Sequence, residues 1–139
     1  MDIAVDLWGR FDLPSAQRIR KALEPYNAQA YAQLARETSV PICMSETMAS
    51  RYEYREYFES KACDVIMYDL TWCGGPSEAK KISDMADTYF IPTSPHTCGG
   101  PLLYLCSIHV CAAVTNFLIM ESNYWKYTRE ADLPPGYFP

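Results

Sequence analysis

Five residues of this 139-residue chain carry side chains that move protons or hold cations, and they stand at equivalent places in a repeating pattern: Asp6, Glu46, Asp69, His96 and Glu121. Asp6 follows the apolar run Ile3-Ala4-Val5, Glu46 follows residues 40–44 after one serine, Asp69 follows 65–68, His96 follows 91–95, and Glu121 follows 117–120. Taken singly, a carboxylate after an apolar run is most often a helix cap or a solvated loop group. Five in succession point to a shared rim. Four carboxylates and an imidazole on one rim cannot all ionise without compensation, because like charges close together raise one another's pKa. A divalent cation resolves the conflict. The set is oxygen and imidazole with no thiol, which favours a hard ion such as Mg2+ over zinc. An imidazole beside such an ion can move a proton at neutral pH, and an adjacent carboxylate fixes its tautomer.

Such a rim needs elements that bring strand ends together. Short apolar runs alternate with longer amphipathic ones, the pattern of an α/β chain in which helices cross a parallel sheet. Strands are expected at residues 3–5, 40–44, 65–68, 91–94 and 117–120, and the continuous apolar character of 65–68 suits a strand buried on both faces. Helices are expected at 15–23, 28–36, around 52–58, after Gly74-Gly75-Pro76-Ser77 with Ala79, Ile82, Met85 and Ala86 on one face, and at 100–114. In sheets of this kind chemistry collects at the carboxyl ends of the strands. One interval is out of step. Between 3–5 and 40–44 lie two helical patterns joined by Glu24-Pro25-Tyr26-Asn27, with no apolar strand between them, and Pro25 breaks any continuous helix there.

Composition narrows the function classes. With 49% apolar, 14% aromatic and 21% charged residues the chain can bury a core and is neither disordered nor collagen-like. A net charge of -5 has the wrong sign for binding a phosphate backbone, so nucleic acid is not an expected partner. Residues 102–120 are almost wholly apolar, but Ser107, His109, Thr115 and Asn116 interrupt them, and Thr115-Asn116 reads as a turn between a helix and a strand rather than the middle of a membrane span. The second histidine, His109, reads as core or surface filler. The N-terminus lacks a basic segment leading into an apolar one, so no secretory signal is expected and a cytoplasmic setting is the default. The six cysteines, 43, 63, 73, 98, 106 and 111, include no Cys-x-x-Cys pair and read as small buried thiols rather than a disulfide framework or zinc site. Residues 131–139, with three prolines and one glycine, read as an extended tail after a single domain over 1–130.

The same residues carry a resemblance to the mandelate racemase branch of the enolase superfamily, in particular its acid-sugar dehydratases. The matching segments, in order, are Ile3-Ala4-Val5-Asp6-Leu7-Trp8-Gly9-Arg10-Phe11, Thr38-Ser39-Val40-Pro41-Ile42-Cys43, residues 64–69 with Trp72-Cys73-Gly74-Gly75, Ala79-Lys80-Lys81-Ile82, Ser94-Pro95-His96-Thr97-Cys98-Gly99-Gly100-Pro101, and 116–121. The resemblance implies a partial (β/α)8 barrel running from the family's third strand to just past its eighth, with the first, second and fourth strands missing. It implies Asp6 and Glu46 as magnesium ligands, Asp69 and His96 as a hydrogen-bonded dyad that exchanges the proton beside the substrate carboxylate, and Glu121 as a contact to that carboxylate or its enediolate. The implied activity is Mg2+-dependent dehydration of a sugar acid, an aldonate or aldarate, to a 2-keto-3-deoxy acid.

Three departures temper that activity. The family's second metal ligand sits on the fourth strand, which is the interval missing after Tyr26, and Glu24-Pro25 lies on the preceding helix end and is not that ligand. Many such dehydratases place a histidine two residues after the first metal Asp as the acid for the departing hydroxyl; here the residue is Trp8, whose indole cannot deliver a proton. Third, the resemblance finds no counterpart in this sequence for the family's capping domain and first two strands. A complete barrel takes about 200 residues or more, so this chain by itself is expected to be impaired. A non-catalytic barrel remnant, or a racemase or epimerase of the same family, are the other readings. Unpaired sheet edges are expected to be covered by another chain, for example in a homo-oligomer, or left prone to aggregation.

Overall fold

Pro76 and Pro101 each follow a glycine and each open a helix, because a first-turn proline gives up only an N–H that the helix cannot use. In the computed structural model, which describes residues 28–44 and 46–122, these become α4 (Pro76–Asp87) and α5 (Pro101–Ala113). Before them come α1 (Ala28–Glu37), β1 (Cys43–Met44), α2 (Arg51–Glu59), β2 (Val65–Ile66) and the single turn α3 (Leu70–Cys73). The expected first strand at 3–5, the helix at 15–23, the junction after Tyr26, Trp8 and the tail at 131–139 lie outside the described residues.

The helices bury the faces that their spacing predicts. Tyr54 and Phe58 of α2, four residues apart, are fully buried, with ring centroids 6.3 Å from each other. On α4 the buried set is Ala79, Ile82, Ser83 and Ala86, and on α5 it is Leu103, Ser107 and Val110. Helix α2 packs against α1 and α4, and α4 packs against α5. Beneath them Ile66 and Tyr68 are fully buried, and the Tyr68 hydroxyl shares a 2.8 Å hydrogen bond with that of Ser83. Arg51 ties the start of α2 to α4, donating to Glu78 from its backbone N–H at 3.1 Å and from its guanidinium at 2.6 Å.

The sheet is parallel throughout. β1 pairs with β2 through Cys43 opposite Val65 and Met44 opposite Ile66, and the order continues through bridges Ile66 to Thr93 and Thr93 to Phe117. Of the four strands expected among the described residues, two are regular; 91–94 and 117–120 make only isolated bridges. The reason is chemical for 91–94: Pro92 and Pro95 have no N–H to donate, so the ladder there is carried by Ser94 N–H to the Ile66 carbonyl at 2.8 Å and Thr93 N–H to the Asn116 carbonyl at 2.8 Å. Segment 117–120 has no partner on its far side among the described residues, and Phe117, Leu118 and Ile119 are exposed there.

The cysteines differ from the sequence expectation. None forms a disulfide, but only Cys63 and Cys73 are buried; Cys43 and Cys98 are exposed, and Cys106 and Cys111 are half-buried. Among the described residues the apolar run at 40–43 lies at the sheet margin, and Val40, Pro41 and Cys43 are exposed there. No helix among the described residues is long and apolar enough to cross a membrane. His109 is exposed on α5, lining a groove between α4 and α5 with Lys80, Lys81 and Cys106.

Candidate functional site

Asp69 is placed by two local devices. It is the N-cap of α3, with extended backbone at φ -107° and ψ 130°, and its Oδ1 accepts from the Thr71 N–H at 2.7 Å and from the Thr71 hydroxyl. It is also bridged in parallel register to His96, whose N–H donates to the Tyr68 carbonyl at 2.9 Å. Bridged residues in a parallel pair project to the same side, so the side chains meet. Asp69 Oδ2 lies 2.8 Å from His96 Nδ1, with the carboxylate buried and the imidazole half-buried. An ionised carboxylate only accepts, so Nδ1 carries the proton in this contact, and in the neutral tautomer so fixed the lone pair is at Nε2.

Glu121 comes up on the other side of the ring. Its Oε2 is 3.4 Å from His96 Nε2 and accepts from the Thr97 N–H at 3.2 Å. The Glu121 N–H donates to the Pro95 carbonyl at 3.1 Å, and the Thr97 hydroxyl donates to the Glu121 carbonyl, so the two strand ends are fastened by both backbone and side chain. Cys98 joins them, with Sγ 3.4 Å from Glu121 Oε1. His96, Cys98 and Glu121 thus offer a nitrogen, a sulfur and an oxygen that all lie within 4.8 Å of one another. Gly99 allows the loop to turn straight into α5: a Cβ there would fall 2.5 Å from Leu103 Cδ2.

Three of the five expected strand-end residues therefore meet: Asp69, His96 and Glu121. Glu46 stands half-buried in the turn after β1, outside the His96 cluster. Asp6 lies outside the described residues. The oxygen donor of Glu46 suits a hard cation, but one carboxylate does not make an octahedral site, and among the described residues Glu46 belongs to no cluster of three or more such ligands. Two features went unnoticed in the sequence. Cys98 makes the set a mixed one rather than thiol-free, and the signal for it was the His-x-Cys spacing on one loop. Tyr54 is the other: burial pushes its hydroxyl pKa up, and the nearby Cys73, Glu53, Asp69 and Glu46 add to the shift. Glu46 and Asp69 thus both act on one buried hydroxyl.

The chain matches the model of the family described as enolase C-terminal domain-like, over residues 1–138. It belongs to that family. Among enolase C-terminal domain-like relatives, the D-galactonate dehydratase of Ralstonia nicotianae is 30% identical over 135 residues, which is 88% of this chain and 35% of that protein. A mandelate racemase/muconate lactonizing enzyme-like protein from Rubrobacter xylanophilus superposes with a TM-score of 0.72 at 39% identity, over 87% of this chain and 34% of its own. An Agrobacterium radiobacter enolase, named as a galactarate dehydratase and bound to sodium and L-malate, gives 0.69 at 30% identity, over 72% of this chain and 25% of its own. The chain spans about a third of the length of the curated relative it matches.

Proposed function

We propose that this chain carries the proton-moving side of a carbon-oxygen lyase that dehydrates a sugar acid, an aldonate or aldarate, to a 2-keto-3-deoxy acid. The observation that carries the reading is the arrangement of His96 between Asp69 at 2.8 Å and Glu121 at 3.4 Å. With Nδ1–H donated to Asp69, His96 Nε2 takes the proton from the carbon next to the substrate carboxylate, and the electron pair moves into that carboxylate as an enediolate. Its return expels the hydroxyl of the neighbouring carbon, which leaves as water with a proton from the imidazolium, and the resulting enol tautomerises to the keto acid. Glu121 stabilises the imidazolium while it exists. Asp6 and Glu46 are assigned to magnesium, which when bound would stabilise the negative charge that builds on the substrate carboxylate.

The finer architecture belongs to the same proposal: residues 1–130 correspond to part of the family's barrel domain, and a second copy covers the edge at 117–119. A cytoplasmic setting goes with it. Trp8, standing where a proton-donating histidine is expected, favours a second reading in which the proton returns to the same carbon, as in a racemase or epimerase. The interval after Tyr26 without an apolar strand run, together with Trp8, favours a third, a non-catalytic remnant.

The test assays two proteins with Mg2+ and a panel of aldonic and aldaric acids: the 139-residue chain, and a version joined to the family's remaining strands. The expected result is a 2-keto-3-deoxy product from the joined version, reduced about 100-fold or more by His96→Asn. Silence from both across the panel overturns the reading. Exchange of the carbon-bound proton with deuterium, without dehydration, would move the assignment to a racemase or epimerase.

A further inference from the structure

We propose that His96 Nε2, Cys98 Sγ and the Glu121 carboxylate form a three-ligand site for a borderline-soft divalent cation of the zinc class, open at a fourth position. The ligand chemistry is that of sites with imidazole, thiolate and carboxylate donors, and differs from the hard, all-oxygen set of a magnesium centre. The geometry agrees. Ligands about 2.0 to 2.3 Å from a tetrahedral ion stand about 3.3 to 3.8 Å from one another. His96 Nε2 to Glu121 Oε2 is 3.4 Å, Cys98 Sγ to Glu121 Oε1 is 3.4 Å, and the whole set falls within 4.8 Å. Cys98 is exposed and lies on the loop between His96 and α5, so its thiol can adjust toward the other two ligands.

The imidazole is already prepared for such an ion. Asp69 holds Nδ1–H at 2.8 Å and is itself fixed by Thr71, which is the carboxylate-histidine arrangement that orients and strengthens a metal-bound imidazole. Binding is balanced simply: neutral His96 gives its Nε2 lone pair, Glu121 a carboxylate oxygen, and Cys98 its thiolate, the thiol proton passing to buffer. Water or an anionic ligand completes the fourth position. Occupancy takes up the lone pair that proton transfer would use. That consequence rests on the dehydratase reading; the binding does not.

The test is cobalt(II) added to the intact chain, followed by absorbance, and then zinc. Expected are visible bands of tetrahedral cobalt and a near-ultraviolet thiolate-to-cobalt band at one ion per chain, both displaced by zinc. Cys98→Ser should abolish the thiolate band while Cys43→Ser, at the other exposed thiol, leaves it intact. Asp69→Asn should weaken binding about 10- to 100-fold. Alkylation mapped by mass spectrometry needs no variant: zinc should slow modification of Cys98 at least tenfold and leave Cys43 unaffected. A thiolate band that survives Cys98→Ser, zinc that fails to protect Cys98, or no stoichiometric binding would each overturn the proposal. None of these readouts involves turnover, so the dehydratase reading can fail while the cation site stands, and the reverse.

Discussion

Asp69 and His96 face each other across one parallel bridge, and the 2.8 Å hydrogen bond between their side chains is a direct result of that backbone register. A slip of one residue would turn one of the two side chains to the opposite face. Asp69 also caps α3, so a single carboxylate joins a helix start to an imidazole.

These two duties can be separated by substitution. Asparagine is as good an N-cap as aspartate, but its amide cannot offer His96 a charged acceptor. Asp69→Asn should keep thermal stability near that of the parent chain while the Nδ1–H tautomer of His96 loses its preference, as read by 15N chemical shifts of the ring. Asp69→Ala should lose both, with an unfolding cost of about 0.5 to 2 kcal/mol from the cap alone. An unchanged tautomer in Asp69→Asn would show that the register, not the carboxylate, sets the ring.

Phe90 is the clearest place to gain stability. It closes the C-terminal turn of α4 at φ 60°, a left-handed conformation that is costly for a bulky side chain, and it is 94% exposed, so its ring has little packing to lose. The turn itself is held by Ile91 N–H to the Ala86 carbonyl at 3.0 Å. Phe90→Asn, which tolerates this conformation, should raise stability by about 0.5 to 1 kcal/mol and lift Tm by a few degrees. A lower Tm would mean that the ring makes contacts beyond those of the described residues.

Alkaline pH should loosen the core in a defined window. Burial pushes the Cys63 thiol up to about 12 and the Tyr68 hydroxyl up to about 12, and Cys73 and Cys111 move up to about 11. The unfolded thiols ionise near 9.0 and the unfolded tyrosine near 10.0, before their folded counterparts. The stability these groups hold is therefore intact below pH 9 and lost as pH rises from there toward 12. Urea titrations across that range should show the midpoint falling, and Cys63→Ala should make the decline shallower by about 1.4 kcal/mol per pH unit. Equal slopes in parent and variant would contradict the burial of Cys63.

Much of this was legible in residue order because helices and caps are local. Pro76 after Gly75 and Pro101 after Gly100 announce helix starts, and the apolar spacing of Ala79, Ile82 and Ala86 announces the buried face, since a helix repeats every 3.6 residues whatever surrounds it. The strands were less legible. Residues 91–94 are apolar enough for a strand, yet Pro92 and Pro95 limit what they can donate, and 117–120 lacks a partner on one side among the described residues.

Sequence alone determined that ionisable groups stand at successive strand ends and that the chain resembles the enolase superfamily, because both are written in types and spacings along the chain. Tertiary structure decided which of those groups meet. Asp69 and His96 are 27 residues apart and are joined by strand register, and Thr97 and Glu121, 24 apart, by the neighbouring strand end. It also decided that Cys98, beside His96 on one loop, meets Glu121, 23 residues away. Contacts of that range depend on how the strands line up across the sheet, and lateral alignment is a property of the packed whole rather than of any one segment.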